Sequence, residues 1–170
     1  MQYPGAWDSN ARRSGRGGPL VAPGTYTVRL TANGITQTQK LVLRPDPRVV
    51  SDGVTTGIMR DQALHNLRAR DLVSAVNRAT ARLNELKKKA NASPQGSMLR
   101  QQVDAIDRTL ITPQIRYSRP GLQAQIQYLY GAAAGADQKV GNDAIARYAV
   151  LKKELDAVMR QIVTAENLAR

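Results

Sequence analysis

The feature that most constrains this chain is a helical seam. Between Asp61 and Ala90 the apolar residues Leu72, Val76, Ala79, Leu83, Leu86 and Ala90 recur at spacings of four, three, four, three and four. That spacing lays a stripe along one side of an α-helix, and the stripe is stable only when other helices bury it. The first helix is expected from about Ile58 to Asn91. A second, from about Pro94 to Ile111, repeats the pattern with Leu99, Val103, Ile106 and Leu110. A third, Gly121 to about Ala134, presents Leu122, Ile126, Leu129 and Ala133. A fourth, about Asn142 to Leu168, presents Ala144, Tyr148, Leu151, Leu155, Val158, Ile162 and Ala165. Seams joined by short links predict an antiparallel four-helix bundle over residues 49–170. Ser51 or Thr55 can cap its first helix, and Pro94 can sit in the first turn of its second. With no Phe and a single Trp, the core must come from Leu, Ile, Val and Ala, which suits helix packing.

Residues 24–44 carry a different period. Two alternating runs flank Asn33-Gly34, the dipeptide best suited to the positive φ angles of a type I′ hairpin turn. A two-residue turn pairs Ala32 with Ile35, Leu30 with Gln37, Val28 with Gln39 and Tyr26 with Leu41. One face then holds Tyr26, Val28, Leu30, Ile35, Leu41 and Leu43, and the other is rich in threonine, with Arg29 and Lys40. Gln37 and Gln39 on the apolar face predict burial that fades toward the turn. An isolated hairpin is marginal in water, so this one needs strands or a helix face to cover it. The fold class expected is therefore α+β, mainly α: an N-terminal hairpin, read as the end of a β-sandwich, followed by helices. Residues 1–48 form the β segment with its leader and 49–170 the helical domain. Pro45 and Pro47 stiffen the join.

The leader, residues 1–23, is rich in Gly, Arg and Pro, a composition that alone would stay disordered. Tyr3 and Trp7 argue against that and read as anchors onto a surface, whether this chain's or a partner's. The link 113–120, PQIRYSRP, is expected to rest Ile115 and Tyr117 on the helices.

Chemistry is sparse. There is no cysteine, which removes disulfides, thiolate metal sites and cysteine nucleophiles. His65 is the sole histidine, one heptad before Leu72, and reads as a satisfied structural residue. Asp104 and Asp107, three apart on the second helix, fit surface ion pairing with Arg100, Arg108 or lysines elsewhere in the chain. Asp137 and Asp143 fit a helix stop and a helix N-terminus. No phosphate loop, nucleophile elbow or metalloprotease pattern occurs, so no catalytic residue, cofactor or metal is expected. The net charge of +12 favours contact with phosphate or an acidic surface. Its densest cluster is Arg82 with Lys87, Lys88 and Lys89, placed where cations complement a helix C-terminus. Arg12, Arg13 and Arg16 could likewise meet phosphates. No apolar run is long enough for a membrane span, and the N-terminus lacks the apolar stretch of a secretory signal, so export would need a signal upstream.

The run Tyr3-Pro4-Gly5-Ala6, then GGPLVAPGTYTVRLTANGITQTQKLVLRPDPR from Gly17 to Arg48, resembles the C-terminal region of bacterial sortilin-like (VPS10-type) β-propeller proteins with BNR repeats, a group labelled glycosyl hydrolase or sialidase-like. Ile115-Arg-Tyr-Ser-Arg-Pro-Gly-Leu and Ile126-Gln-Tyr-Leu-Tyr130 echo its helical tail. The resemblance implies an immunoglobulin-like β segment, a secreted or periplasmic setting, and an upstream propeller that would hold any active site. It implies a non-catalytic accessory domain. Residues expected to meet a partner are Tyr3, Trp7, Tyr26, Arg82, Lys87, Lys88 and Lys89. Two other readings are open: a basic module binding nucleic acid or another anion, and a subunit whose hairpin completes a partner's sheet.

Overall fold

The computed structural model describes residues 1–10, 12–15, 17–94 and 97–170. Arg16, one of the arginines considered for phosphate contact, lies outside them. The protein is mainly helical, with a two-stranded antiparallel hairpin ahead of the helices. Strands β1 (Gly24–Ala32) and β2 (Ile35–Leu43) pair in the expected register, Tyr26 opposite Leu41 and Ala32 opposite Ile35. Asn33 (φ 49°) and Gly34 (φ 77°) supply the two positive φ angles of the turn.

A short helix, α1 (Pro47–Ser51), occupies the connector expected to be merely stiff. Asp46 caps it by accepting from the Arg48 N–H, and Pro47 sits in its first turn, where no amide partner is needed. Helix α2 (Thr56–Ala92) begins at Thr55, whose hydroxyl accepts from the Ile58 N–H at 3.2 Å. Its 37 residues make it about 55 Å long. Helix α3 (Met98–Leu110) starts later than the expected Pro94, because Ser97 caps it through the Arg100 N–H. Helices α4 (Leu122–Ala133) and α5 (Asn142–Leu168) complete the chain.

Helix α2 packs on α3, α4 and α5, and α5 packs on α3 and α4. Their shared core contains all six α2 seam residues, joined by Leu99, Val103, Ile106 and Leu110 of α3, Leu122, Ile126 and Leu129 of α4, and Leu151, Leu155, Val158, Ile162 and Ala165 of α5. The heptad spacing thus buries side chains from four helices in one apolar interior. Ala133, Ala144 and Tyr148, also placed on the seams, are only half-buried.

The leader is not loose. Gln2 bridges to Leu20, and the Tyr3 N–H donates to the Pro19 carbonyl at 2.8 Å. Gly18 lies so close to this turn that a Cβ would fall 1.9 Å from the Tyr3 carbonyl oxygen, so only glycine fits. Trp7 donates its N–H to Ser74 Oγ (2.9 Å) and accepts at its carbonyl from Asn77 Nδ2 (2.8 Å). The Arg78 guanidinium sits 5.4 Å from the center of its ring. Arg70 reaches the Pro4 carbonyl, and the Tyr130 hydroxyl donates to the Gly17 carbonyl. The surface that anchors Trp7 is this chain's own α2.

The link 113–120 departs from expectation. Ile115 is 73% exposed and Tyr117 89%, so neither rests on the helices. Tyr117 adopts φ 62°, and Arg116 stacks over its ring at 4.8 Å. Bonds from Ser118 back to the Ile115 and Pro113 carbonyls close the turn and aim both side chains outward.

Candidate functional site

The hairpin carries apolar surface that no described residue covers. Among the described residues, neither strand makes backbone contact with a helix. Only its base, at Gly24–Tyr26, borders a cleft shared with Ala63 and Leu67 of α2. There Tyr26 is half-buried and donates its hydroxyl to the Ala22 carbonyl. Further out burial disappears: Val28 is 42% exposed, Leu30 67% and Ile35 68%. Leu41 is exposed on the same face and Leu43 half-buried. Apolar side chains in register on a two-stranded sheet with two free edges form an adhesive surface.

Apart from the exposed Val42 near its base, the opposite face is polar and positively charged. Thr31 and Thr36 share a hydroxyl hydrogen bond of 2.9 Å across the strands. Arg29 is opposite Thr38 and Lys40 opposite Thr27, which makes the two cations diagonal neighbours about 7–8 Å apart at the backbone. Residues 24–45 contain no Asp or Glu. Among the described residues, none of Arg29, Lys40 and Arg44 takes part in an ion pair. The nearest acid in sequence, Asp46, is held by Arg48 at 2.7 Å, and that hydrogen-bonded contact lowers its pKa to about 2.

The lysine-rich end of α2 has its partners within the chain. Arg82 forks onto Glu166 of α5, Nε to Oε1 and Nη2 to Oε2, both at 2.7 Å. Hydrogen bonding to Arg82 is the main cause that holds the Glu166 carboxyl below its ordinary range. Lys87 Nζ lies 2.6 Å from Asp107 Oδ1 of α3, an ion pair in which the buried oxygen gains charge contact but no well-aligned hydrogen bond. Asp107 thus takes its countercharge from a lysine of another helix, one of the partners expected for it. Lys88 pairs with Glu85, and Lys89 reaches the Ala169 carbonyl at 3.5 Å. Arg82, Lys87 and Lys89 tie α2 to α5 and α3, while Lys88 pairs within α2.

The residues expected to meet a partner therefore fall into three groups. Tyr3 and Trp7 hold the leader, Tyr26 sits at the hairpin base, and Arg82 with the three lysines braces helix ends. From Ala63, beside the hairpin base, to Lys88 is roughly 37 Å along α2. No single site gathers them. Of this surface only Tyr26 was expected to meet a partner; Val28, Leu30, Ile35 and Leu41 were legible as one apolar face that needs strands or a helix face to cover it.

Two clefts in the helical part hold buried polar groups. His65 borders one of about 370 Å³ with Asp61, Arg68, Lys139 and Tyr148. Its Nε2 is buried without a hydrogen-bond partner, so it is not the satisfied histidine expected. Burial, then the charge of Arg68, lowers its pKa, and Tyr148 meets its ring edge-on at 6.0 Å. Asn66, its Oδ1 also unpartnered, borders another cleft of about 490 Å³ under the leader. Gln62 spans the wall of that cleft, donating to the Ala133 and Ala136 carbonyls and accepting from the Gln138 N–H. Among the described residues, no three His, Cys, Asp or Glu side chains cluster as a metal site would require. Nor is any helix long and apolar enough to cross a membrane.

Comparison with known proteins adds no relative: no family model, no curated protein and no solved structure matches the chain.

Proposed function

We propose that this chain is a non-catalytic interaction module that docks through its hairpin. The observation that carries the reading is the uncovered face of Val28, Leu30, Ile35 and Leu41, standing off helices whose own apolar seams are buried. A surface of this kind is completed by another β-layer. In this reading residues 49–170 form an antiparallel four-helix bundle that serves as the support, and residues 1–48 are a partial immunoglobulin-like segment. The resemblance of Gly17–Arg48 to sortilin-like propeller proteins supports placing the missing layer in a domain next to a β-propeller. The internal ion pairs of Lys87 and Lys88 argue against the lysine cluster as a nucleic-acid site.

The test is photo-crosslinking in the organism that makes the protein. A benzophenone side chain replacing Leu30 should give a discrete adduct, and one replacing the exposed Glu154 of α5 should not. Identical patterns from both positions, or none from position 30, would sink the docking reading.

A further inference from the structure

Resting on that docking reading, we infer the chemistry of the occupant: an open-edged β-sheet outside this chain whose edge strand alternates apolar residues with Asp or Glu. Three observations lead there. The first is the shape of what is uncovered. Both strands are nine residues long and each keeps one free edge of N–H and C=O groups. A strand added to either edge satisfies that edge, and its alternate side chains extend both faces of the hairpin. On one face they would continue the row of Val28 and Leu30 and must be apolar. On the other they would lie beside Arg29 or Lys40.

The second observation is charge. Arg29, Lys40 and Arg44 stand on a segment with no acidic residue, and none has an ion-pair partner among the described residues. A neighbouring strand with carboxylates on that face gains cross-strand pairs and relieves the diagonal repulsion of the two cations. A strand with Lys or Arg there adds to it. The charged face therefore selects among strands, while the apolar face supplies adhesion.

The third disfavours a second copy as occupant. A nine-residue strand pair presents a face about 30 Å long and 10 Å wide, so roughly 300–500 Å² of surface. A stable interface takes about 800 Å² from each partner. Two hairpins meeting face to face fall short of that, and each chain brings +12. Edge-to-edge pairing of two copies sets cations beside cations, with no acid in either hairpin. The small face favours an occupant that also reaches beyond the hairpin, and the charge favours one of opposite sign.

The experiment extends the crosslinking. Benzophenone is placed at Leu30, on the apolar face, and at Thr27, beside Arg29 on the charged face, and the crosslinked peptides are sequenced. The expected result is one segment reached from both positions, alternating apolar and acidic residues. Arg29→Glu with Lys40→Glu should lower adduct yield about tenfold or more, and Arg29→Gln with Lys40→Gln should lower it less. Circular dichroism confirms that both variants are folded. In parallel, sedimentation of the purified full chain at about 100 μM should give a monomer. If position 30 gives no adduct, the docking reading itself fails. If it gives one and the segment is helical, basic or another copy of this chain, docking stands and the acidic-strand inference is overturned. A charge reversal that leaves the yield unchanged overturns it as well, as does a dimer that Leu30→Asp abolishes.

Discussion

Replacing Leu30 and Ile35 together by serine tests the division between hairpin and helices. Each side chain is about two-thirds exposed, so only a third of it is withdrawn from water. Full burial of a Leu or Ile contributes about 1.5–3 kcal/mol, which leaves roughly 0.5–1 kcal/mol for each here. Even that share belongs to the hairpin. Leu30 faces Gln37 and Ile35 faces Ala32, and neither strand makes backbone contact with a helix among the described residues. The double substitution should therefore change the urea stability of the helices, read by circular dichroism at 222 nm, by less than about 1 kcal/mol. Leu83→Ala is the control. Leu83 is fully buried in the shared core, and its truncation should cost about 2–5 kcal/mol. With a urea slope of about 2 kcal/mol/M, that is a midpoint shift of about 1–2.5 M. A loss above about 2 kcal/mol from the serine pair would mean that the hairpin face packs on the helices in solution. The uncovered surface, and the docking reading with it, would then be refuted.

Other consequences can be read in the same assays. Arg82→Ala should cost about 0.5–1 kcal/mol near neutral pH, discounted because both partners are about a third exposed. Since Arg82 depresses the Glu166 carboxyl, the pair's contribution is complete above the ordinary Glu value of 4.5 and fades as pH falls through the lower folded value, so wild-type and variant curves should converge in acid. For His65 the folded pKa lies below 6.5, so on acidification the unfolded chain takes up a proton first; stability should fall as pH drops below about 6.5 and level off beneath the folded value, and His65→Phe should flatten that slope. Gly34→Val forces a β-branched residue to φ 77°, at a cost of about 1–2 kcal/mol, and should speed amide exchange in both strands while leaving the helical signal unchanged.

The helices and the turn were legible because their signals are local. A heptad seam states which side of a helix is buried whatever the partner is, and Asn33-Gly34 specifies a turn by its own backbone preferences. Misses came where a local signal was overlooked or where contact is distant. Asp46-Pro47 is a helix start in its own right, and Ser97 outcompetes Pro94 because its hydroxyl can satisfy the Arg100 amide. Trp7 meets Ser74 and Asn77 about seventy residues away, which no local pattern encodes. Ile115 and Tyr117 are apolar by type, yet a turn that places Tyr117 at positive φ directs them into water. For the candidate site, alternation announced an apolar face on the hairpin; only the spatial arrangement shows it uncovered.

An uncovered apolar face is a liability, and the same residues that mark it also restrain it. Leu30 and Ile35 alone would invite edge-to-edge association. Arg29 and Lys40 occupy the middle of the two strands, so a second copy meets cations on the edge it would join. Pro23 precedes β1, and Pro45 and Pro47 follow β2 without amide donors, which limits pairing at the base to the hairpin itself. The wider surplus of positive charge adds a longer-range repulsion between copies, which weakens as salt rises. The basic character, tempting as a sign of nucleic acid, has a simpler place in this arrangement. On α2 it fastens helices through Glu166 and Asp107; on the hairpin it keeps like chains apart while leaving the edges open to a strand of opposite charge. Neutralising Arg29 and Lys40 should therefore raise self-association while lowering capture of the acidic occupant, two opposite effects from one pair of side chains.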